Sequence, residues 1–129
     1  MLIELKVSHF AIIDNVHMNF GQGLNILSGE TGAGKSILLK SLGLLMGEKA
    51  LSDTIRSGQD TATIEGAFDL SKRPDIKDRM LAMGIEVLDN ELIVKRVVSN
   101  QNKSRVYLNG SLSTLASLRD VVSPLVEVT

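Results

Sequence analysis

The sequence predicts an α/β fold, with a mixed sheet around one glycine-led helix and an antiparallel β lobe beside it. Three observations lead there. Apolar and polar residues alternate over 2–10, 14–20 and 61–70, the period of a half-buried strand. A short apolar run at 24–28 passes through a glycine-rich segment into a helical run at 37–46. Downstream, the turn pair Asn109-Gly110 separates strand-like residues 104–108 from a stretch with helical spacing.

The elements follow in order. In residues 2–10 the apolar positions are odd-numbered, Ile3, Leu5 and Val7, and Phe10 follows His9. In 14–20, Val16, Met18 and Phe20 share one face. Gly21-Gln22-Gly23 reads as a turn into a buried strand at 24–28. The helix after the glycine segment ends at Gly47, a natural C′ residue. Residues 48–60 lack a period and read as a loop. The strand at 61–70 sets Ala62, Ile64, Gly66 and Phe68 against Thr63, Glu65 and Ala67.

Pro74 suits the first turn of a helix running to Met83, with Ile76, Met80 and Met83 on one face and Gly84 after it. Residues 85–88 and 91–99 are strand-like on either side of Asp89-Asn90, and a turn cluster at 99–103 precedes the strand at 104–108. Leu112, Leu115, Leu118 and Val122 are spaced for one helix face, with Ser113 as N-cap and Pro124 as terminator. Residues 125–129 begin another strand. The chain thus stops inside an element, which reads as a piece of a larger protein.

Composition narrows the function classes. The chain has 129 residues, 43% hydrophobic and 22% charged, which is ordinary for one soluble domain. It has no cysteine, so disulfides and thiolate metal sites are excluded. There is no signal-peptide pattern and no run long enough to span a bilayer, so the cytoplasm is the expected compartment. A net charge of −1 announces no nucleic-acid partner, although a local patch would be invisible in that sum.

The chemistry concentrates at residues 29–36, Gly-Glu-Thr-Gly-Ala-Gly-Lys-Ser, which fit G-x-x-x-x-G-K-[ST] between a strand and a helix. The glycines let backbone N–H groups approach a phosphate with no Cβ between them. The helix start adds unpaired N–H groups and the positive end of its dipole. Lys35 is placed to reach the β- and γ-phosphates of a nucleoside triphosphate, and the Ser36 hydroxyl to take one position on Mg²⁺. Gly29, Glu30, Thr31, Gly32, Ala33, Gly34, Lys35, Ser36 and the adjoining Ile37 are therefore the expected nucleotide-binding residues. The bland alternative is a glycine turn that caps a helix and binds nothing.

Other residues weigh less. Phe10 is either an adenine-stacking ring or core filling, and the core reading is favoured. His9 and His17 are too few for a metal site. Lys95, Arg96, Lys103 and Arg105 form a basic cluster on one hairpin, read first as a solvated strand face and second as a phosphate-contacting patch. Residues 85–89, Ile-Glu-Val-Leu-Asp, look like a Walker B strand, but Asn90 stands where a catalytic Glu would follow.

Four stretches carry a family resemblance: Ser8-His9-Phe10-Ala11-Ile12-Ile13, the glycine motif at 29–36, Leu42-Gly43-Leu44-Leu45-Met46-Gly47, and Ser104-Arg105-Val106-Tyr107-Leu108-Asn109-Gly110. Together they resemble the N-terminal part of the ATPase head of SMC-like, ABC-type P-loop ATPases, in particular the DNA-repair members. The resemblance implies ATP and Mg²⁺ as cofactors. It implies a head completed by a C-terminal segment across a long coiled coil, and a second head that closes over ATP in a homodimer. It implies engagement of double-stranded DNA in break repair and recombination in a bacterial, nucleoid-associated setting. It also implies a role for Arg56 near the nucleotide or the partner head. The remaining catalytic parts would lie beyond Thr129, so the 129-residue chain alone is expected to hydrolyse little or nothing. Many relatives place an Arg after the opening strand's Phe; here Ala11 and Ile12 stand there. A transporter-type ATPase is the nearest alternative. A GTPase is disfavoured by the lack of an Asn-Lys-x-Asp motif, and a nucleotide kinase by the lack of an Arg-rich lid.

Overall fold

A computed structural model describes residues 2–10, 13–19, 32–49, 55–99 and 103–125. The expected strand at 24–28, the turn at 21–23, Gly29, Glu30, Thr31, Ala11, Ile12, Phe20 and residues 126–129 of the expected terminal strand lie outside the described residues; Leu125, expected to open that strand, instead closes a 3₁₀ turn over Ser123–Leu125. So do the side chains of residues 32–38.

Among the described residues, six strands form one sheet, in the order β2-β1-β3-β4-β5-β6. They are β1 (Leu2–Phe10), β2 (Ile13–Asn19), β3 (Thr61–Asp69), β4 (Glu91–Ser99), β5 (Ser104–Leu108) and β6 (Ser111–Ser113). Every pairing between them is antiparallel. The expected β lobe is therefore continuous with the opening hairpin in a single sheet. Three helices, α1 (Gly32–Leu45), α2 (Pro74–Ala82) and α3 (Leu115–Val122), complete the α/β head-type fold. None of these helices is long and apolar enough to cross a membrane.

Alternation explains how the layers meet. Register lines up Leu5, Gly66 and Val94 in one cross-strand row and Val7, Ile64 and Arg96 in another. These positions, with Ala62, Phe68, Leu92, Val98, Val106 and Leu108, are all on the buried face. Leu45 of α1, Ile76 and Met80 of α2, and Leu118, Val121 and Val122 of α3 cover it. Each fully buried leucine, isoleucine or phenylalanine contributes about 1.5–3 kcal/mol. The opposite face carries exposed Lys6, Lys95 and Arg105 and half-buried Thr63, Glu65 and Tyr107. Phe10 departs from the odd-numbered pattern yet is buried, beyond a left-handed His9 at φ 54°.

Both glycine-terminated helices end in the same motif. Glu48 N–H donates to Gly43 O (3.0 Å) and Gly47 N–H to Leu44 O (3.2 Å). Likewise Ile85 N–H donates to Met80 O and Gly84 N–H to Leu81 O, each at 3.0 Å. This 6→1 and 5→2 pairing needs a left-handed C′ residue, which Gly47 (φ 99°) and Gly84 (φ 81°) supply.

Four further expectations need correction. Residues 85–88 form no strand, because their backbone groups are taken up locally: Ile85 N–H by Met80 O, Glu86 O by Asn109 Nδ2 and Leu88 O by the turn to Glu91 N–H. Leu112 lies in β6 and is 70% exposed, not on the α3 core face. The N-cap of α3 is Thr114, whose Oγ1 accepts from Ser117 N–H at 3.1 Å; Ser113 is still in the strand. Met83, beyond the end of α2, is exposed while Ile76 and Met80 are buried.

Candidate functional site

The site is built around α1. The helix begins at Gly32, inside the glycine motif, so Gly32, Ala33, Gly34 and Lys35 form its first turn and Ser36 and Ile37 its second. The first four N–H groups of a helix have no intrahelical acceptor. No acidic residue lies in that turn to repel or replace an anion. Those backbone groups, at the positive end of the dipole, suit a phosphate. Lys35 and Ser36 would supply the charge and the metal-ligating hydroxyl.

The opposite end of α1 is held firmly. Leu45 is fully buried, and a Cβ on Gly66 would stand 2.7 Å from its Cδ1, so glycine in β3 lets the helix come close. Arg96, in the middle of β4, is 1% exposed. Its Nη1 donates to Leu44 O at 2.8 Å and also to Glu48 O, while Nε donates to Ser104 Oγ at 2.9 Å. Arg119 of α3 adds an Nε hydrogen bond to Gly47 O at 3.0 Å. Two cations at a helix C-terminus complement its dipole. Burial presses the Arg96 guanidinium below its usual range and the Arg119 charge acts the same way, with Glu48 opposing. An arginine stays charged through such shifts, so the carbonyls face a cation.

Sequence proximity groups Arg96 with Lys95, Lys103 and Arg105. The structure removes it from that surface, since it points to the helices. Alternation carried the signal: Arg96 shares parity with Leu92, Val94 and Val98. Lys95 and Arg105 remain exposed on the outer face, diagonal to one another across the β4–β5 pair, and Lys103 is also exposed.

Arg56 is half-buried at the far end of β1. Its N–H donates to His9 O at 2.8 Å, and Ile55 bridges to Phe10. Phe10, 1% exposed, fills the core. His17 Nε2 lies 2.8 Å from Glu4 Oε1, where Lys6 also approaches at 3.4 Å. Among the described residues no cluster of His, Asp or Glu has the arrangement of a metal site.

Asp89 is not a Walker B carboxylate at a strand end. Asp89 and Asn90 both have positive φ (55° and 54°), and Glu91 N–H donates to Leu88 O at 3.0 Å, which makes a tight two-residue turn. A cleft of about 410 Å³ lies beside it, lined by Glu86, Asp89, Glu91, Ile93 and Asn109 among others. Its carboxylates repel a triphosphate.

Comparison with known proteins accords with this layout. A family model described as an AAA domain matches residues 4–121. The chain belongs to the AAA domain family. This AAA-family chain is 41% identical over 128 residues to the DNA repair protein RecN of Halalkalibacterium halodurans, covering 99% of this chain and 23% of the relative. It is 44% identical over 133 residues to RecN of Synechocystis, covering 100% of this chain and 22% of the relative. The AAA-family chain thus spans less than a quarter of the length of the curated relatives it matches. A structure solved in work on ATP-driven dimerisation and DNA-stimulated activation of SMC ATPases superposes with a TM-score of 0.74 at 20% identity, covering 95% of this chain and 77% of that one. At that identity the likeness establishes the fold.

Proposed function

We propose that this chain is the N-terminal segment of an SMC-like ATPase head that acts in DNA double-strand break repair and recombination. The observation that carries the reading is the glycine motif opening α1 in a chain similar to RecN over nearly its whole length. Gly29, Glu30, Thr31, Gly32, Ala33 and Gly34 line the phosphates of ATP, and Ile37 follows on the same helix. Lys35 neutralises the β- and γ-phosphates, and Ser36 holds Mg²⁺. Mg²⁺ held there would offset charge developing on the γ-phosphate. Arg56 is assigned to the nucleotide or the engaged partner.

Residues of a C-terminal head segment position the attacking water, and a second head closes over the γ-phosphate in an ATP-dependent homodimer. The motif holds only the nucleotide, so head engagement on double-stranded DNA supplies the rest of the chemistry. The setting is the nucleoid of a bacterial cytoplasm.

Lys35→Ala in the full-length protein should lower ATP turnover by at least about a hundredfold, the scale for removing a charge-stabilising group. The 129-residue chain alone should show no turnover above background. Robust hydrolysis by that chain, abolished by Lys35→Ala, would refute the assignment of the missing parts to other segments.

A further inference from the structure

Among the described residues, the buried guanidinium of Arg96 donates to Leu44 O, Glu48 O and Ser104 Oγ. A buried cation is retained at a cost unless it is well satisfied, and here two of the three bonds go to carbonyls at the C-terminal end of one helix. That helix is the one whose other end opens with Gly32. We propose that Arg96 is a positioning residue for nucleotide binding, fixing the seat of α1 on the sheet and thereby the placement of its N-terminal N–H groups. The inference rests on the nucleotide reading of residues 29–37.

The coupling is mechanical and electrostatic. At 14 residues, α1 is a rod about 21 Å long. Its C-terminal turn is gripped on three sides: by Arg96 from β4, by Arg119 from α3 and by close contact of Leu45 with Gly66. A close-packed interior transmits displacement rather than absorbing it. Loss of the Arg96 grip lets the rod tilt on β3 and β4, so the phosphate-facing N–H groups shift relative to strand residues that do not move. Hydrogen bonds to phosphate are lost over a fraction of an ångström to an ångström. Arg96 also compensates the negative end of the helix dipole, so its charge and its geometry act together. Ser104 Oγ holds Nε and so orients the fork, which ties the grip to the β4–β5 hairpin.

The test uses the full-length protein and fluorescent ATP titrations alongside thermal melts. Arg96→Met keeps the stem and removes the donors; Arg96→Lys keeps the charge without the fork; Met80→Ala, in α2, lowers stability with no bond to α1. Arg96→Met should weaken ATP binding about tenfold, the loss of one or two charge-assisted bonds' worth of placement. Arg96→Lys should recover part of that loss. Met80→Ala should melt lower with ATP affinity unchanged. Should Arg96→Met fail to fold, Ser104→Ala decides, with an expected weakening of about threefold from a freed Nε. Arg96→Met binding ATP as tightly as Met80→Ala, or Ser104→Ala as tightly as wild type, overturns the positioning role while leaving the nucleotide reading intact. A wild-type protein that binds no ATP overturns both.

Discussion

Gly47→Ala tests how the end of α1 is built. Gly47 sits at φ 99°, where an L-residue pays about 1–2 kcal/mol. A Cβ there also collides with Arg119 Cγ, so the arginine must swing away and give up its 3.0 Å bond to Gly47 O. Arg119 is solvent-exposed, which holds that loss to about 1 kcal/mol. The sum is roughly 2–3 kcal/mol. For a domain of this size each kcal/mol moves the melting temperature by about 4 °C, so far-UV circular dichroism should record a fall of roughly 8–12 °C. In an Arg119→Ala background the collision and the bond are already gone. There the same substitution should cost only the backbone part, leaving a coupling of about 1 kcal/mol in the double-mutant cycle. A fall below about 3 °C, or costs that simply add, would show that neither the left-handed turn nor the contact restrains the helix end as described.

Asn109 makes three side-chain bonds, accepting from Ile93 N–H at 2.6 Å and donating to Glu86 O at 3.0 Å and Glu91 O at 3.1 Å, at φ 49°. Asn109→Ala should destabilise by about 2–4 kcal/mol in urea titrations, and Asn109→Gly by about 1 kcal/mol less, because glycine keeps the left-handed turn. The hydrogen bonds from Arg73, opposed by desolvation, hold the Asp75 carboxyl below its usual 3.8. A depressed carboxylate pKa stabilises above the unfolded value, so this contribution is complete above about pH 4 and fades as pH falls through the folded value. Arg73→Ala should raise the Asp75 midpoint toward 3.8 in an NMR titration, and no movement would remove the pair as the cause. Asp89→Asn in the full-length protein should leave ATP turnover unchanged, since asparagine tolerates the same turn; a large loss would reinstate a catalytic carboxylate there.

Much of this protein was legible in one dimension. Strand alternation identified β1, β3, β4 and β5 because one face of each meets helices and the other does not. The turns at Asn109-Gly110 and the stops at Gly47 and Gly84 were readable because left-handed backbone demands particular residues. The glycine motif is local chemistry, written in consecutive positions. What local pattern could not carry was competition for partners. Residues 85–88 alternate like a strand, yet their backbone groups pair with the end of α2, with Asn109 and within the 88–91 turn. Arg96 looked like one member of a surface basic cluster, because charge is read by composition and burial by parity. Parity alone puts its side chain on the core face, but only the packed sheet decided that the guanidinium meets the carbonyls at the end of α1, and so joined the outer hairpin to the helix that begins with the glycine motif.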